Sequence, residues 1–176
     1  QLDDALMQPF SISDTKTFHE TIISNREHLD EWLRWSSSIQ TLQDAEKMLT
    51  MFGQKRQAGE GFLSGIWMNE QLVGGVVCWY IHRQNRNAEI GYWLTKATLG
   101  KGLATRASQA TIDYLFSVEK LHRIEMQCAV ENTRSRAIPE RLGFKLEGIR
   151  RDSHWITNRF LDHAVYGLLA SEWKKY

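Results

Sequence analysis

The chain is poor in cysteine and proline, and it has no long hydrophobic run. It contains 2 cysteines and 2 prolines among 176 residues. Cys78 and Cys128 lie inside apolar stretches and form no CxxC pair, which favours two buried reduced thiols over a disulfide, a zinc site or a catalytic cysteine. The longest apolar run, Leu72–Ile81, is about half the length that spans a bilayer, so it predicts a buried strand.

The chain also lacks an excess of charge of either sign. Its 22 lysines and arginines nearly balance its 21 aspartates and glutamates, for a formal net charge of +1. We therefore expect no direct recognition of nucleic acid and no membrane binding, and any basic site must be local. The first residues lack the basic and apolar regions of a signal peptide, which favours a cytoplasmic protein. The chain begins at Gln1 rather than at methionine, so its true N-terminus is left open.

Length and patterning together predict one domain over residues 1–176. A chain of this length suffices for a single core that buries about 70% of the unfolded surface. Apolar residues at helical spacing from Phe18 to Leu33 predict a first helix, and Thr41 with Asp44 resembles the capping box of a second. Hairpins and crossover helices follow, in the order βααβββαβαββ. This order predicts an α/β (α+β) fold with a mixed sheet of about seven strands and about four helices.

The glycine-rich stretch LGKGLAT, Leu99–Thr105, is the most informative. It stands between the extended segment Asn87–Leu94 and a segment with helical spacing. Glycines at the start of a helix leave backbone N–H groups uncovered, and these donors together with the helix dipole favour an anion. The stretch lacks the lysine that a Walker loop needs after its second glycine and the third glycine of the dinucleotide fingerprint. Taken alone, the two glycines are equally compatible with a simple strand-to-helix turn.

Three motifs together resemble the GCN5-related N-acetyltransferase (GNAT) superfamily. They are EIGYWL (Glu89–Leu94), GKGLAT (Gly100–Thr105) and ENTRSRAIPERLGF (Glu131–Phe144). The pattern is similar in particular to the RimJ/RimL branch, which acetylates the N-termini of ribosomal proteins. The resemblance covers essentially the whole chain and implies the GNAT fold, in which the parallel fourth and fifth strands splay apart. It also implies acetyl-CoA as the co-substrate and no metal.

The resemblance places acetyl-CoA against all three motifs. Backbone amides of the family signature [QR]-x-x-G-x-[GA] bind the pyrophosphate, and Leu99 replaces the usual Gln or Arg of that signature. Lys101 and Arg106 are expected charge partners. The strand ending at Thr95 would lend its backbone to the pantetheine arm. The implied cofactor-binding residues are Trp93, Leu94, Thr95, Gly100, Lys101, Gly102, Leu103, Ala104, Thr105, Asn132 and Arg136.

Two of these residues have a competing structural interpretation. Asn132 matches the family's pantetheine-contacting asparagine, and it is equally suited to be the N-cap of the following helix. Arg136 lies near the expected adenosine end of the coenzyme, or it is simply solvated. The sequence leaves both alternatives open.

The resemblance also implies direct transfer of the acetyl group to a primary amine. Such a transfer needs a neutral amine, donors for the developing oxyanion and a proton for the leaving thiolate. Ser135 matches the serine thought to serve the coenzyme A sulfur in this branch. His154 stands where the branch tends to carry a glutamate base, and Glu89 occupies the strand where many superfamily members place theirs. A third option is that no single side chain acts as the base.

The acceptor expected from the resemblance is the N-terminal α-amine of a ribosomal protein. An α-amine, with a pKa of about 7.7 to 8.0, demands only a modest base, whereas a lysine with a pKa of about 10.4 demands more. Trp32 and Trp35 would line the acceptor groove, although packing against the core explains Trp32 as well. The alternatives are acetylation of a small amine, such as a polyamine, an amino acid or an aminoglycoside, and a regulatory module that binds coenzyme A without turnover. A homo-oligomer is neither required nor excluded.

Overall fold

The fold is built around one mixed sheet of seven strands, in a computed structural model that describes residues 4–174. The order across the sheet is β1-β2-β3-β4-β5-β7-β6. The strands are β1 (Leu6–Pro9), β2 (Phe62–Met68), β3 (Gln71–His82), β4 (Asn87–Leu94), β5 (Arg123–Ala129), β6 (Lys145–Ile156) and β7 (Arg159–Leu169). Their pairings are antiparallel except that of β4 with β5. The predicted mixed seven-stranded sheet is confirmed, while the assignment of residues 1–176 to one domain stays a prediction.

Five helices connect and cover the strands. They are α1 (Thr15–Ser24), α2 (Arg26–Asp30), α3 (Leu42–Ala58), α4 (Leu103–Ser117) and α5 (Thr133–Arg141). Thr41 and Asp44 form the expected capping box at the start of α3. Among the described residues, no helix is both long enough and apolar enough to cross a membrane. Both cysteines are buried free thiols, as predicted.

The helix expected from Phe18 to Leu33 is in fact two helices, and the prediction of a continuous one is wrong. The break falls at Asn25, whose backbone leaves the helical region (φ −114°, ψ 11°). Its side chain donates to the carbonyl of Thr21 at 3.0 Å and accepts from the backbone N–H of Lys96 at 3.0 Å. An asparagine side chain that bonds to backbone in this way competes with the helical hydrogen bonds. Asn25 therefore ends α1 and ties it to the segment after β4.

Two β-hairpins have two-residue turns. Asn69 and Glu70 join β2 to β3, and Thr157 with Asn158 joins β6 to β7. All four have positive φ, between 45° and 64°. Two consecutive residues with positive φ match the right-handed twist of the strands they connect.

The parallel strands β4 and β5 pair over only three residues each. Asn87–Glu89 lies against Arg123–Glu125, and the pairing ends there although both strands continue. On its other side β4 stays paired with β3 as far as Leu94, and β5 stays paired with β7 as far as Ala129. A gap therefore opens between β4 and β5 toward their C-terminal ends, and the predicted splay is confirmed.

Apolar clusters cover both faces of the sheet. One face packs under α4 and α5, with core residues such as Ile90, Ile112, Leu115, Met126 and Tyr166. The other packs under α1, α2 and α3, with core residues such as Phe18, Ile22, Leu49, Phe52 and Trp93. We call these the α4–α5 face and the α1–α3 face. The gap between β4 and β5 is bordered by both.

Candidate active site

Because side chains alternate along a strand, the residues that line the β4–β5 gap point to opposite faces of the sheet. On β4, Ile90 and Tyr92 point to the α4–α5 face, while Glu89 and Trp93 point to the α1–α3 face. On β5, Cys128 belongs to the first face and Gln127 to the second. The gap therefore has a different set of chemical groups on each side.

The glycine-rich stretch begins α4 without a side-chain cap. Gly100 and Gly102 have φ of +78° and +72°, and Gly102 is the N-cap residue. A Cβ atom at Gly100 would meet nothing within 4 Å, so the space in front of the loop is open. The backbone N–H groups of Leu103, Ala104 and Thr105 make no hydrogen bond to another residue within 4–174. Uncovered donors at a helix start are the physical requirement for anion binding.

Two arginines hold the loop from different sides. Arg106 donates to the Asp4 carboxylate at 2.7 Å and to the Lys101 carbonyl at 3.0 Å, so its guanidinium braces the loop. Arg141, at the end of α5, donates to the Thr105 hydroxyl at 3.1 Å and places a cation beside the first turn of α4. Sequence reasoning missed Arg141, because nothing local brings α5 to the start of α4.

The end of β4 presents backbone to the gap while its side chains are buried elsewhere. Trp93 packs edge-on against Phe18 and Trp35 on the α1–α3 face. Leu94 packs with Leu103 on the other face, and the hydroxyl of Thr95 lies 3.0 Å from that of Thr98. Extended backbone without a strand partner offers N–H and C=O groups to a ligand. The predicted backbone role of Trp93, Leu94 and Thr95 is compatible with this geometry and stays a prediction.

The start of α5 holds a small cluster of polar groups on the α4–α5 face. The Asn132 side chain accepts from the backbone N–H of Ser135 at 3.0 Å and thus caps the helix. The hydroxyl of Ser135 lies 2.8 Å from the hydroxyl of Tyr92 and donates to Cys128 Sγ at 3.4 Å. Tyr92 also donates to the backbone carbonyl of Ser135 at 2.8 Å. Burial raises the pKa of Tyr92 and of Cys128, which keeps both groups neutral.

Arg136 is a structural tie rather than a solvated side chain. Its Nε donates to the Tyr166 hydroxyl at 2.9 Å, and Nη1 donates to the Val130 carbonyl at 3.4 Å. An ion pair with Glu140 completes its contacts at 3.7 Å. Arg136 therefore connects α5 to β5 and β7, and its predicted contact with the adenosine end of a coenzyme stays a prediction.

A chain of polar side chains crosses the α1–α3 face. Gln127 donates to the Glu89 carboxylate at 3.1 Å, and Arg150 donates to the Gln127 side-chain oxygen at 3.3 Å. Burial, together with the nearby charge of Glu125, raises the pKa of Glu89. Arg150 lies near both predicted bases, Glu89 and His154. It bonds Gln127, the partner of Glu89, and it lies opposite His163, on which His154 stacks.

His154 and His163 form a stacked pair beside the C-terminal end of β5. Their ring centroids are 3.8 Å apart with an interplanar angle of 15°. A bulge in β6 between Arg150 and His154 brings the two rings together. Burial, and then the charges of Arg34 and Arg150, lower the pKa of His154. Burial, His154 and Arg150 lower that of His163 to about 4. Sequence reasoning missed His163, because the stacking depends on the bulge.

The two predicted substrate-contacting tryptophans have different surroundings. Trp32 packs on Ala129, Ile156 and Leu161, which join the end of β5 to the β6–β7 hairpin. Trp35 stacks on Phe18 and is part of the core under α1. Trp32 therefore borders the α1–α3 side of the gap. Trp35 does not border the gap directly but packs against Trp93 of β4.

Comparison with known families agrees with this geometry. The family described as "Acetyltransferase (GNAT) domain" matches residues 5–145. The chain belongs to the GNAT family. It is therefore an acetyl-CoA-dependent N-acetyltransferase, and the splay of β4 from β5 is the GNAT arrangement that the sequence predicts.

Individual GNAT proteins extend the match to the whole chain. The putative ribosomal N-acetyltransferase YdaF of Bacillus subtilis (strain 168) is 32% identical over 170 residues, covering 96% of this chain and 91% of the relative. The ribosomal-protein-serine acetyltransferase of Escherichia coli (strain K12) is 28% identical over 151 residues, covering 86% and 84%. A solved RimL ribosomal L7/L12 alpha-N-protein acetyltransferase in complex with coenzyme A superposes with a TM-score of 0.91 at 22% identity, covering 94% of each chain, and shows the shared fold.

The described residues fit the co-substrate of a GNAT enzyme at three points. Uncovered N–H groups at the start of α4 suit a pyrophosphate, and the unpaired end of β4 suits the amides of a pantetheine arm. The hydroxyl of Ser135 lies on the α4–α5 side of the gap and would offer a hydrogen-bond donor to a thioester sulfur. Bound acetyl-CoA supplies an activated acetyl group and a thiolate leaving group. The role of each residue toward it stays a prediction.

Proposed function

We propose that this GNAT enzyme transfers the acetyl group of acetyl-CoA directly to the N-terminal α-amine of a ribosomal protein in the cytoplasm. One observation carries the proposal: the β4–β5 gap has the Ser135 hydroxyl on its α4–α5 side and the Glu89 carboxylate on its α1–α3 side, and the stacked His154–His163 pair lies beside the end of β5. A thioester and an amine that meet in such a gap find a donor for the sulfur and an acceptor for the amine proton. The names of the two curated relatives support a ribosomal acceptor.

On the α1–α3 side, His154 is the base that we favour. Its lowered pKa keeps the imidazole neutral at pH 7, so it can accept a proton from the attacking amine. Glu89 is the alternative base. Its carboxylate already accepts a hydrogen bond from Gln127, and its raised pKa makes it a stronger base than an ordinary carboxylate. Because an α-amine is partly neutral near pH 7.5, either group suffices for an N-terminal acceptor.

On the α4–α5 side, Ser135 donates a hydrogen bond to the sulfur as the carbon–sulfur bond breaks. A serine hydroxyl is a weak acid, and we therefore assign it hydrogen-bond donation rather than full proton transfer. Ser135 lies in the first turn of α5, where the helix dipole also favours negative charge. Gly100 to Thr105, with Arg141, would hold the pyrophosphate at the start of α4. We expect neither direct nucleic-acid recognition nor membrane binding.

An acceptor panel tests the proposal. The protein and acetyl-CoA are incubated with ribosomal-protein N-terminal peptides, the same peptides blocked by N-formylation, spermidine, free amino acids and an aminoglycoside. Free thiol release is followed and mass spectrometry locates the acetyl group. We expect turnover on the unblocked peptides only, with the acetyl group on the α-nitrogen. Turnover on small amines alone would support the alternative substrate class, and coenzyme A binding without any turnover would leave only a regulatory module.

A further inference from the structure

Tyr92 brings a second hydroxyl donor next to Ser135, and the proposed function gives this donor no role. The Tyr92 hydroxyl lies 2.8 Å from two oxygens of the same residue, the backbone carbonyl and the side-chain hydroxyl of Ser135. A phenol has one proton and can donate to only one of them at a time. Two arrangements therefore exist, one directed at the carbonyl and the other at the hydroxyl.

The second arrangement forms a directed chain of hydroxyls. When Tyr92 donates to Ser135 Oγ, the proton of Ser135 is free to point away, and at present it points at Cys128 Sγ, 3.4 Å distant. A neutral thiol is a weak acceptor, whereas a thiolate is a strong one. A thiolate that forms beside Ser135 would therefore draw the Ser135 proton from Cys128. Donation from Tyr92 would strengthen that bond, since consecutive hydrogen bonds polarise one another.

We infer that Tyr92 is a positioning residue that directs and polarises the Ser135 hydroxyl toward the coenzyme A sulfur. This inference rests on the proposed function of Ser135. In the step it serves, the carbon–sulfur bond breaks and its electron pair stays on sulfur. Ser135 then donates to that sulfur, and Tyr92 moves its own donation from the Ser135 carbonyl to the Ser135 hydroxyl. No proton leaves either side chain.

Packing explains the tyrosine ring, and the Ser135 carbonyl gives its hydroxyl one partner. Tyr92 packs against the apolar clusters of the α4–α5 face, where phenylalanine would fill the same volume. A buried hydroxyl needs a partner, and the Ser135 carbonyl alone would satisfy it. The additional approach to Ser135 Oγ, in a cluster that borders the gap, is what a donor chain requires.

The titration of enzyme-bound coenzyme A measures this directly and needs no acceptor. Thiolate absorbance of bound coenzyme A is recorded against pH for the wild type, Tyr92→Phe and Ser135→Ala, with the protein alone as blank. Besides Tyr92, Cys128 is the titratable group in contact with Ser135, and Arg136 and Glu140 act on it from α5. Burial raises the pKa of Cys128, and the blank of protein alone, titrated over the same pH range, subtracts its contribution. We expect Tyr92→Phe to raise the pKa of the bound thiol by about one unit.

A double-mutant cycle separates positioning from a general structural effect. We expect Tyr92→Phe to lower kcat about tenfold with an unchanged KM for acetyl-CoA, and to have an effect below about twofold in the Ser135→Ala background. Tyr114→Phe is the matched control, because its hydroxyl is on the exposed side of α4 and bonds Glu119. An equal pKa of the bound thiol in wild type and Tyr92→Phe, or equal losses of kcat in both backgrounds, would overturn the inference.

A second variant keeps the test decisive if Tyr92→Phe is poorly folded. Incorporation of 3-fluorotyrosine at position 92 retains the ring and makes the hydroxyl a stronger donor. We expect it to lower the pKa of the bound thiol, and an unchanged or higher value would contradict the inference. If the wild type acetylates no amine, the proposed function fails, but the thiol titration still decides the role of Tyr92.

Discussion

The two faces of the β4–β5 gap are built in different ways. On the α4–α5 face, the groups that suit a ligand are backbone N–H groups at the start of α4 and one hydroxyl in the first turn of α5. On the α1–α3 face they are side chains from β4, β5, β6 and β7, placed by strand register and by a bulge. The first arrangement relies mainly on backbone N–H groups and suits one invariant co-substrate. The second is assembled in three dimensions and can be altered one side chain at a time.

This difference predicts that changes on the α4–α5 face affect every acceptor, while changes on the α1–α3 face depend on the acceptor and on pH. The largest expected effect is that of Ser135→Ala on the α4–α5 face. Loss of the donor to the leaving sulfur should lower kcat about a hundredfold, by an equal factor for all acceptors. Steady-state kinetics with two different peptides measures it, and Ser117→Ala at the end of α4 is the control. A loss confined to one peptide would contradict an acceptor-independent role of Ser135.

The next effect concerns the binding of acetyl-CoA. In Gly102→Val, a β-branched residue must adopt a φ of +72°, which strains the loop that positions the N–H groups at the start of α4. We expect the Kd for acetyl-CoA, measured by calorimetry, to rise about thirtyfold, a free-energy change of about 2 kcal/mol. Gly53→Ala in α3, where a Cβ meets nothing within 4 Å, should leave the Kd unchanged. An unaltered affinity in Gly102→Val would remove the pyrophosphate assignment.

On the α1–α3 face, His154→Gln should produce a loss that depends on pH. Because its pKa is lowered from 6.5, His154 becomes a neutral base already below pH 6.5, and the acid limb of kcat/KM in the wild type should lie there. Without His154 the limb should move up to the pKa of the acceptor amine, about 7.7 to 8.0. The expected loss is about tenfold at pH 6.5 and below about twofold at pH 8.5. An identical pH profile for the two proteins would exclude His154 as the base.

The smallest expected effect is that of Glu89→Gln. The substitution keeps the shape of the side chain beside Gln127 and removes only its charge. We expect about a threefold loss of kcat without a shift of the acid limb. Because the pKa of Glu89 is raised, a base at this position would give an acid limb above the ordinary carboxyl range, and that limb would vanish in Glu89→Gln. Such a result would assign the base to Glu89 instead of His154.

The same difference explains which parts of the protein are predictable from its sequence. The seven strands, the hairpin turns at Asn69 and Thr157 and the glycine start of α4 follow from short-range patterns, and the structure contains them. The break at Asn25 depends on a hydrogen bond to Lys96, 71 residues away.

The missed side chains of the site are also non-local. Arg141 meets Thr105 through the packing of α5 near α4, and His163 stacks on His154 only because β6 carries a bulge. Tyr92 fits the alternating apolar pattern of β4, so nothing in the sequence distinguishes its hydroxyl from ordinary core packing. Short-range patterns predict the glycine start of α4, whereas these side-chain contacts depend on helix packing and on strand register.

The most direct test of the two-sided gap is a crystal structure with a bisubstrate ligand, in which the coenzyme A sulfur is joined through an acetyl linker to the α-nitrogen of a ribosomal-protein N-terminal peptide. We predict that the sulfur lies within hydrogen-bond distance of Ser135 Oγ. We also predict that the linker passes between β4 and β5 and that the peptide nitrogen faces His154 and Glu89. A ligand whose sulfur and peptide both lie on the same face of the sheet would contradict this prediction.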